Sequence, residues 1–330
     1  MRTNRDTERT KIAVVVNPRS AGGKTARRWP EIAVALEARL GRVETRFTES
    51  GGGGTRVARQ LLDEGYEYIV AAGGDGTINE VANAFLENDR PVRPEARLGI
   101  LPLGTGGDFR RTLGIGAGIR EIVETLATGV PLLMDVGKAQ FCGQGGRTQS
   151  RYFVNIASFG MGGEVAARSQ NAARALGGTM AYFWATFITF FAYRGKRVRL
   201  ELDGEKLPSP FVITNVAIGN GEFHGGGMRP CPRAILNDGL LEVTVIDYLM
   251  MFELARDIRF LYSENVYRHP KVHHFRARKV TAKGETPTKI EVDGEPLGRL
   301  PLQATILPQR LPVVVPPNSA LLSKNPAREG

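Results

Sequence analysis

Two short segments share one composition, three glycines, one carboxylate and one hydroxyl, in different order: Gly73-Gly74-Asp75-Gly76-Thr77 and Gly104-Thr105-Gly106-Gly107-Asp108. Each follows a run that reads as a strand, residues 66–72 and 97–101. Glycines at the carboxyl end of a parallel strand let backbone N–H groups approach phosphate oxygens. A carboxylate in such a cradle repels phosphate unless a cation lies between them. Asp75 and Asp108 are therefore candidates for Mg²⁺ or a Mg²⁺-bound water. One such turn could be purely structural; two of matching composition point to a phosphate-bearing ligand.

Other nucleotide motifs fail on their spacing. Gly22-Gly23-Lys24-Thr25 would need its leading glycine at Pro18, and a Gly-x-Gly-x-x-Gly from Gly104 would need glycine at Phe109. Protein-kinase signatures are missing. Further along, Asn237-Asp238-Gly239 and Asp293-Gly294-Glu295 both read as hairpin turns, and the first could also be a metal loop. His224, beside Gly225-Gly226-Gly227, reads more readily as a loop residue than as a catalytic one. Cys142 and Cys231 are isolated, which argues against a disulfide framework and fits a reducing cytoplasm.

The elements that must carry these residues fall into two groups. Strand runs at 11–17, 43–48, 66–72 and 97–101 alternate with helical spacing at 24–40, around 57–62 and at 77–86. That alternation predicts a parallel sheet covered by helices. From about residue 131 the runs follow one another, at 132–140, 151–157, 197–203, 211–219, 240–247, 274–282, 288–293 and 301–307. Helical patterns interrupt only at 164–193 and 249–264, so this half predicts a mostly antiparallel sheet. The expected boundary is Gly129-Val130-Pro131, giving domains 1–130 and 131–307. The tail 308–330 is expected to be extended, with its last ten residues disordered.

Bulk properties narrow the class. With 44 basic against 34 acidic residues the formal charge is +10, which favours anionic surfaces and phosphorylated ligands. The basic residues occur as scattered pairs without an aromatic-basic motif, so nucleic acid is not an expected partner. The N-terminus lacks the apolar core of a signal peptide. The most apolar run, Met180 to Tyr193, has 14 residues, short of the roughly 18–20 that span a bilayer. Within it Phe183, Trp184, Phe187, Phe190 and Phe191 could line an acyl-chain pocket or pack a core.

These segments together resemble the diacylglycerol kinase catalytic-domain superfamily, and most nearly its soluble bacterial lipid kinases. Asn17-Pro18-Arg19-Ser20-Ala21-Gly22, GGDGTINEVANA at 73–84 and LPLGTGGDFRR at 101–111 match its first three motifs in order. RPCPRAILNDGLLEV at 229–243, His269-Pro270-Lys271-Val272 and EVDGEPLG at 291–298 match in the second half. The resemblance implies a nucleotide-binding α/β domain and a β-sandwich-like domain with the active site in the cleft between them. It also implies that the tail returns to the first domain.

By the same resemblance, Asn17 to Ala21, Thr48, Gly73, Gly74, Asp75, Gly76, Thr77, Ile78, Asn79, Gly104 and Thr105 surround ATP. Ile235, Asp238 and Leu240 form a Mg²⁺ site, and Glu295 accepts the proton. In more distant members the residue matching Asp75 takes that last role, so the choice of base stays open. One departure is Gly107, where the motif usually has Asn; it removes an amide that could orient Asp108. The implied activity is ATP-dependent phosphorylation of a lipid hydroxyl, diacylglycerol-like, by a cytoplasmic protein in transient contact with a membrane surface. A kinase of NAD and a silent nucleotide- or lipid-binding protein stay open as alternatives. The acceptor lipid and the oligomeric state, a homodimer included, are also unsettled.

Overall fold

A computed structural model describes residues 10–49, 52–176, 186, 188–189 and 191–323 of the chain. The run Ile12–Val16 forms β1, buried from Ala13 onward as its apolar side chains require on both faces of a sheet. A turn at Ser20–Gly23 leads into α1, Lys24–Leu40, which buries Trp29, Ile32 and Leu36 and stops at Gly41. There follow β2 (Glu44–Phe47), α2 (Gly53–Asp63), β3 (Tyr68–Gly73) and α3 (Asp75–Ala84). Next come the short pair β4 (Leu86–Glu87) and β5 (Arg90–Pro91), then β6 (Arg97–Pro102), α4 (Asp108–Thr112) and α5 (Ile119–Thr128). β1 pairs in parallel with β2 and β3, and β3 with β6. This order sets the carboxyl ends of β1, β3 and β6 side by side.

The second half is strand-rich. It contains β7 (Val130–Cys142), β8 (Thr148–Phe153), β9 (Ile156–Gly160), α6 (Met161–Leu176), β10 (Lys196–Leu202), β11 (Glu205–Lys206) and β12 (Phe211–Gly219). It continues with β13 (Leu241–Asp247), α7 (Met251–Asp257), β14 (Val272–Ala277), β15 (Lys279–Gly284), β16 (Lys289–Val292) and β17 (Glu295–Val315). These strands pair with one another antiparallel.

Two runs expected to be single strands are each divided. Residues 151–157 split between β8 and β9, where Asp293 accepts from the N–H groups of Val154, Asn155 and Ile156. Residues 274–282 split between β14 and β15, where Asp203 accepts from Arg278 and Lys279. In both places a distant carboxylate takes N–H groups that would otherwise bond a neighbouring strand. The helical pattern at 249–264 is also shorter than expected: α7 ends at Asp257 and a 3₁₀ turn covers Ile258–Tyr262.

Two strands join the halves. β7 and β17 pair antiparallel, interrupted by an irregularity between Leu307 and Leu311, where Gln309 has φ 52°. Beyond it β17 meets β6 in parallel at Val313 and Leu98. Leu132, Met134, Val136, Leu311 and Val313 pack in the first core, and Ala139, Phe141, Ala304 and Ile306 in the second. The core therefore changes within β7, past the Gly129–Pro131 segment, which is where that strand begins.

Of the last ten residues, expected to lack structure, 324–330 lie outside the described residues; Leu321 and Leu322 belong to a 3₁₀ turn, Ala320–Leu322, capped by Ser319, and pack against the first core. Of the aromatic run, Phe183, Trp184, Phe187 and Phe190 lie outside the described residues. Phe191 is 57% exposed and lines an open cavity of about 760 Å³ with Tyr193, Arg194, Val212 and Tyr248. No helix among the described residues is long and apolar enough to cross a membrane.

Candidate active site

The two glycine turns are packed onto each other. α3 starts at Asp75 directly after β3, with Gly74 extended (φ −86°, ψ −179°). The N–H groups of Leu103 and Gly104 both donate to the Gly73 carbonyl, at 2.7 and 3.1 Å. A Cβ on Gly104 would stand 2.5 Å from Gly74 Cα, so this approach requires glycine. Asp75 completes the junction. Its Oδ2 accepts from Gly107 N at 2.8 Å and Asp108 N at 3.4 Å, and its Oδ1 from Phe109 N at 3.3 Å. The Asp75 carboxylate thus caps α4 and joins the two turns. Burial and the neighbouring Asp108 push its pKa up, while the three N–H donors pull it down.

A third turn lies beside them at the end of β1. Asn17 Nδ2 donates to Thr77 Oγ1 at 2.9 Å, and Asn17 Oδ1 accepts from Arg19 N at 3.0 Å. Ala21, Gly22 and Gly23 are all left-handed, and no atom would lie within 4 Å of a Cβ on Gly22 or Gly23. Such a loop turns N–H groups outward toward an anion. Arg19 and Lys24 are exposed beside it, Ser20 Oγ is 3.0 Å from Thr25 Oγ1, and Pro18 is half-buried. Thr48 is buried against Gly53 at the start of α2. Thr105 is exposed, whereas the Ile78 side chain lies in the core. Three turns therefore line the ends of three adjacent strands, an arrangement suited to a chain of phosphates.

Asn79 is a different case from its neighbours. Its side chain is fully buried and bridges the halves: Nδ2 donates to Asp293 Oδ2 (2.7 Å) and to the Tyr152 carbonyl (2.9 Å). Its Oδ1 accepts from Arg151 Nε at 2.8 Å. One turn further, Asn83 donates to the Tyr152 carbonyl and accepts from Tyr152 N. The amides at i and i+4 of α3 thus dock β8, and their spacing is a signal that sequence reading could have used.

Glu295 comes from the second half. β16 and β17 form a hairpin whose tip, Asp293 (φ 47°) and Gly294 (φ 85°), has the left-handed pair of a type I′ turn. The turn sets Glu295 so close to α3 that a Cβ on Gly76 would stand 2.9 Å from Glu295 Oε1. Arg151 Nη2 is 3.4 Å from Glu295 Oε2. Burial pushes the Glu295 pKa up, Arg151 pulls it down, and Glu80 and Asp293 push it up again. Asp293 is buried beneath it with four donors, and burial pushes its carboxyl up to about 6. Sequence reading missed Arg151, Asn83, Asp293 as an anchor, and Glu80, which caps α2 through Gly52 N and Gly54 N.

Asp108 also faces the second half. Its Oδ1 meets Arg111 Nη1 at 2.9 Å and its Oδ2 accepts from Gly226 N at 2.8 Å. The same loop places His224 Nε2 3.3 Å from Glu291 Oε1, and Glu291 Oε2 accepts from Gly294 N. His224 thus backs the hairpin.

The loop expected to hold Mg²⁺ fits it poorly. Asp238, its one side-chain ligand, accepts from Leu240 N through Oδ1, and the Arg276 guanidinium lies on its Oδ2. Arg276 Nε is also 3.3 Å from Glu242 Oε2. The loop is fixed from below by Asp135, which accepts from Gly239 N and Gln309 N, each at 2.7 Å. A guanidinium already supplies the positive charge that Mg²⁺ would bring to Ile235, Asp238 and Leu240. Among the described residues no group of three or more His, Cys, Asp or Glu is placed to hold a metal ion.

Comparison with known proteins agrees with this architecture. Residues 11–139 match the diacylglycerol kinase catalytic domain, and residues 155–315 the YegS C-terminal NAD kinase beta sandwich-like domain. A diacylglycerol kinase of Staphylococcus saprophyticus is 29% identical over 308 residues, covering 93% of this chain and 96% of that one. Diacylglycerol kinases of Staphylococcus carnosus and Staphylococcus aureus are 28% identical over the same length, with 93% of this chain covered and 96% and 93% of theirs. Among solved structures, a diacylglycerol kinase from Bacillus anthracis strain Sterne superposes with a TM-score of 0.67 at 22% identity, covering 95% of this chain and 100% of that one. A second structure from that organism gives 0.72 at 24% identity, covering 93% and 98%.

Proposed function

The chain belongs to the diacylglycerol kinase catalytic-domain superfamily, and from that premise we propose that it moves the γ-phosphoryl group of ATP to the hydroxyl of a diacylglycerol-like lipid in the cleft between its halves. One observation carries this reading: the β16–β17 hairpin delivers the Glu295 carboxylate to Gly76, at the start of α3, where the phosphate turns converge. A carboxylate there has no use as a phosphate ligand. It is placed to take a proton from a hydroxyl that approaches the phosphates.

Asn17 to Ala21, Gly73 to Thr77, Gly104 and Thr105 would surround the triphosphate, with Arg19 and Lys24 adding positive charge. The lipid hydroxyl oxygen attacks the γ-phosphorus while its proton moves to Glu295. The bond from the γ-phosphorus to the β,γ-bridging oxygen breaks, and its electron pair leaves with ADP. Asp75 holds the second turn in register, and Asp108, fixed by Arg111 and Gly226, stands at its far end. Mg²⁺, where bound, would offset phosphate charge; Asp75 and Asp108, whose oxygens already accept from the chain, would meet it through bound water.

The acceptor arrives from a membrane surface on the cytoplasmic side. Phe191, Phe252 and Tyr262 are exposed apolar groups of the second half, and Arg194, Arg256 and Arg259 accompany them. That combination suits anionic lipid. The test is transfer of label from ATP to a total lipid extract in anionic vesicles. Label is expected in one lipid class, falling as salt rises. Glu295→Gln should lower turnover by about 10²–10⁴-fold with ATP binding kept. Label on NAD and on no lipid would overturn the reading.

A further inference from the structure

We propose that Arg151 is a positioning residue for this reaction: anchored on α3 by Asn79, it aims the Glu295 carboxylate at the phosphate turns and sets a fixed positive charge beside it. The inference rests on the reading of Glu295 as proton acceptor.

The anchoring is built from both halves. Arg151 Nε donates to Asn79 Oδ1 at 2.8 Å, so the plane of the guanidinium is set by a buried amide. That amide is held in turn by Asp293 and the Tyr152 carbonyl. Tyr152 is the next residue along β8, and Asn83 grips it through both its N–H and its carbonyl. With Nε fixed, the outer Nη2 reaches Glu295 Oε2 at 3.4 Å. Arg151 is half-buried, with its side chain 22% exposed, so water screens this pair less than it would a surface pair.

The charge is needed because of what else faces Glu295. From α3 comes Glu80, from the hairpin comes Asp293, and both repel a second negative charge. Glu291 lies on β16, one turn of the hairpin away, and is occupied by His224 and Gly294. Burial also disfavours the ionised form of Glu295, and Arg151 is the cation that opposes these effects. Without it, Glu295 would hold its proton to higher pH and could not accept another. Both the direction of the carboxylate and its readiness to take a proton then depend on the Arg151 side chain.

The experiment measures kcat and KM across pH for the parent, Arg151→Gln, Arg151→Lys and Glu295→Gln, with Tm and ATP binding recorded for each. Arg151→Gln removes the charge and keeps an amide at the level of Nε, where the bond to Asn79 is made, but stops short of Glu295. Its acid limb of kcat/KM should move up by about 1 pH unit or more, the size of a neighbouring-charge effect. Activity should recover at high pH, and KM for ATP should change little. Arg151→Lys keeps a charge, so its limb should stay near that of the parent even if turnover falls. An Arg151→Gln limb that coincides with the parent's, with only Tm or turnover reduced, overturns the inference and leaves Glu295 in place. A Glu295→Gln enzyme that keeps the parent's acid limb overturns the reading of Glu295, and the inference with it. Should Arg151→Gln fail to fold, Arg151→Lys decides: a limb displaced upward despite the retained charge counts against the proposal.

Discussion

At Gly107 the backbone is left-handed, with φ 68° and ψ 33°, and its N–H is the shortest of the three donors to Asp75. Asparagine enters this region at little cost, whereas β-branched residues do not. A Cβ here would stand 3.4 Å from Arg110 Nε, the end of a flexible side chain. Gly107→Asn should therefore keep Tm and initial rate close to those of the parent. Gly107→Val should cost about 1–2 kcal/mol from the dihedral alone and loosen the Asp75 cap. Thermal unfolding and initial rates check both, and a Val variant as stable as the Asn variant would show that the turn tolerates another backbone path. In the sequence this position looks like a lost amide beside Asp108. The structure shows why the loss matters little: Asp108 is oriented by Arg111 and by Gly226 N. The first of these contacts is local and could be anticipated from spacing. The second comes from a loop more than a hundred residues away and could not.

At the scale of elements, the hairpin tip does two things that its Asp-Gly dipeptide announces only in part. The turn type follows from the sequence, since Asp and Gly accept the left-handed pair. The capture of Val154, Asn155 and Ile156 by Asp293 does not, because it needs a strand break that apolar patterning of residues 151–157 hides. Asp293 makes this legible in solution. Its ordinary pKa is 3.8, and in the folded chain burial raises it to about 6. The folded chain then binds that proton more tightly than the unfolded one. Stability from this residue is fully present below 3.8 and is lost as pH rises through about 6. A shift of this size corresponds to something on the order of 3 kcal/mol. Asp293→Asn cannot titrate. The unfolding free energy of the parent minus that of the variant should fall as pH rises across this window and level off above it. A difference that rises instead would mean that the four donors outweigh burial.

Across the whole molecule, β7 and β17 tie the two cores into one object. Reading the sequence as two domains captured the change from alternating strands and helices to successive strands. It could not show that the linking strands serve both cores, because Val130–Cys142 and Glu295–Val315 each read as ordinary apolar runs. The consequence concerns cooperativity. Val313 has no exposed surface and is the residue at which β17 meets β6. On its other side it pairs with Leu132 of β7. Val313→Asp would set an unpaired carboxylate in an apolar core, at a cost of several kcal/mol. That is a large part of the roughly 5–15 kcal/mol that holds a domain folded. Loss of β17 from the first core also frees the irregular stretch at Gln309, which Asp135 fixes together with the loop at Gly239. Damage at Val313 should therefore reach the second core. Hydrogen exchange tests this directly: in Val313→Asp the amides of β12 and β13 should lose protection together with those of β1 and β3. If β12 and β13 keep the parent's protection while β1 and β3 exchange freely, the cores are independent and the shared strands do not couple them.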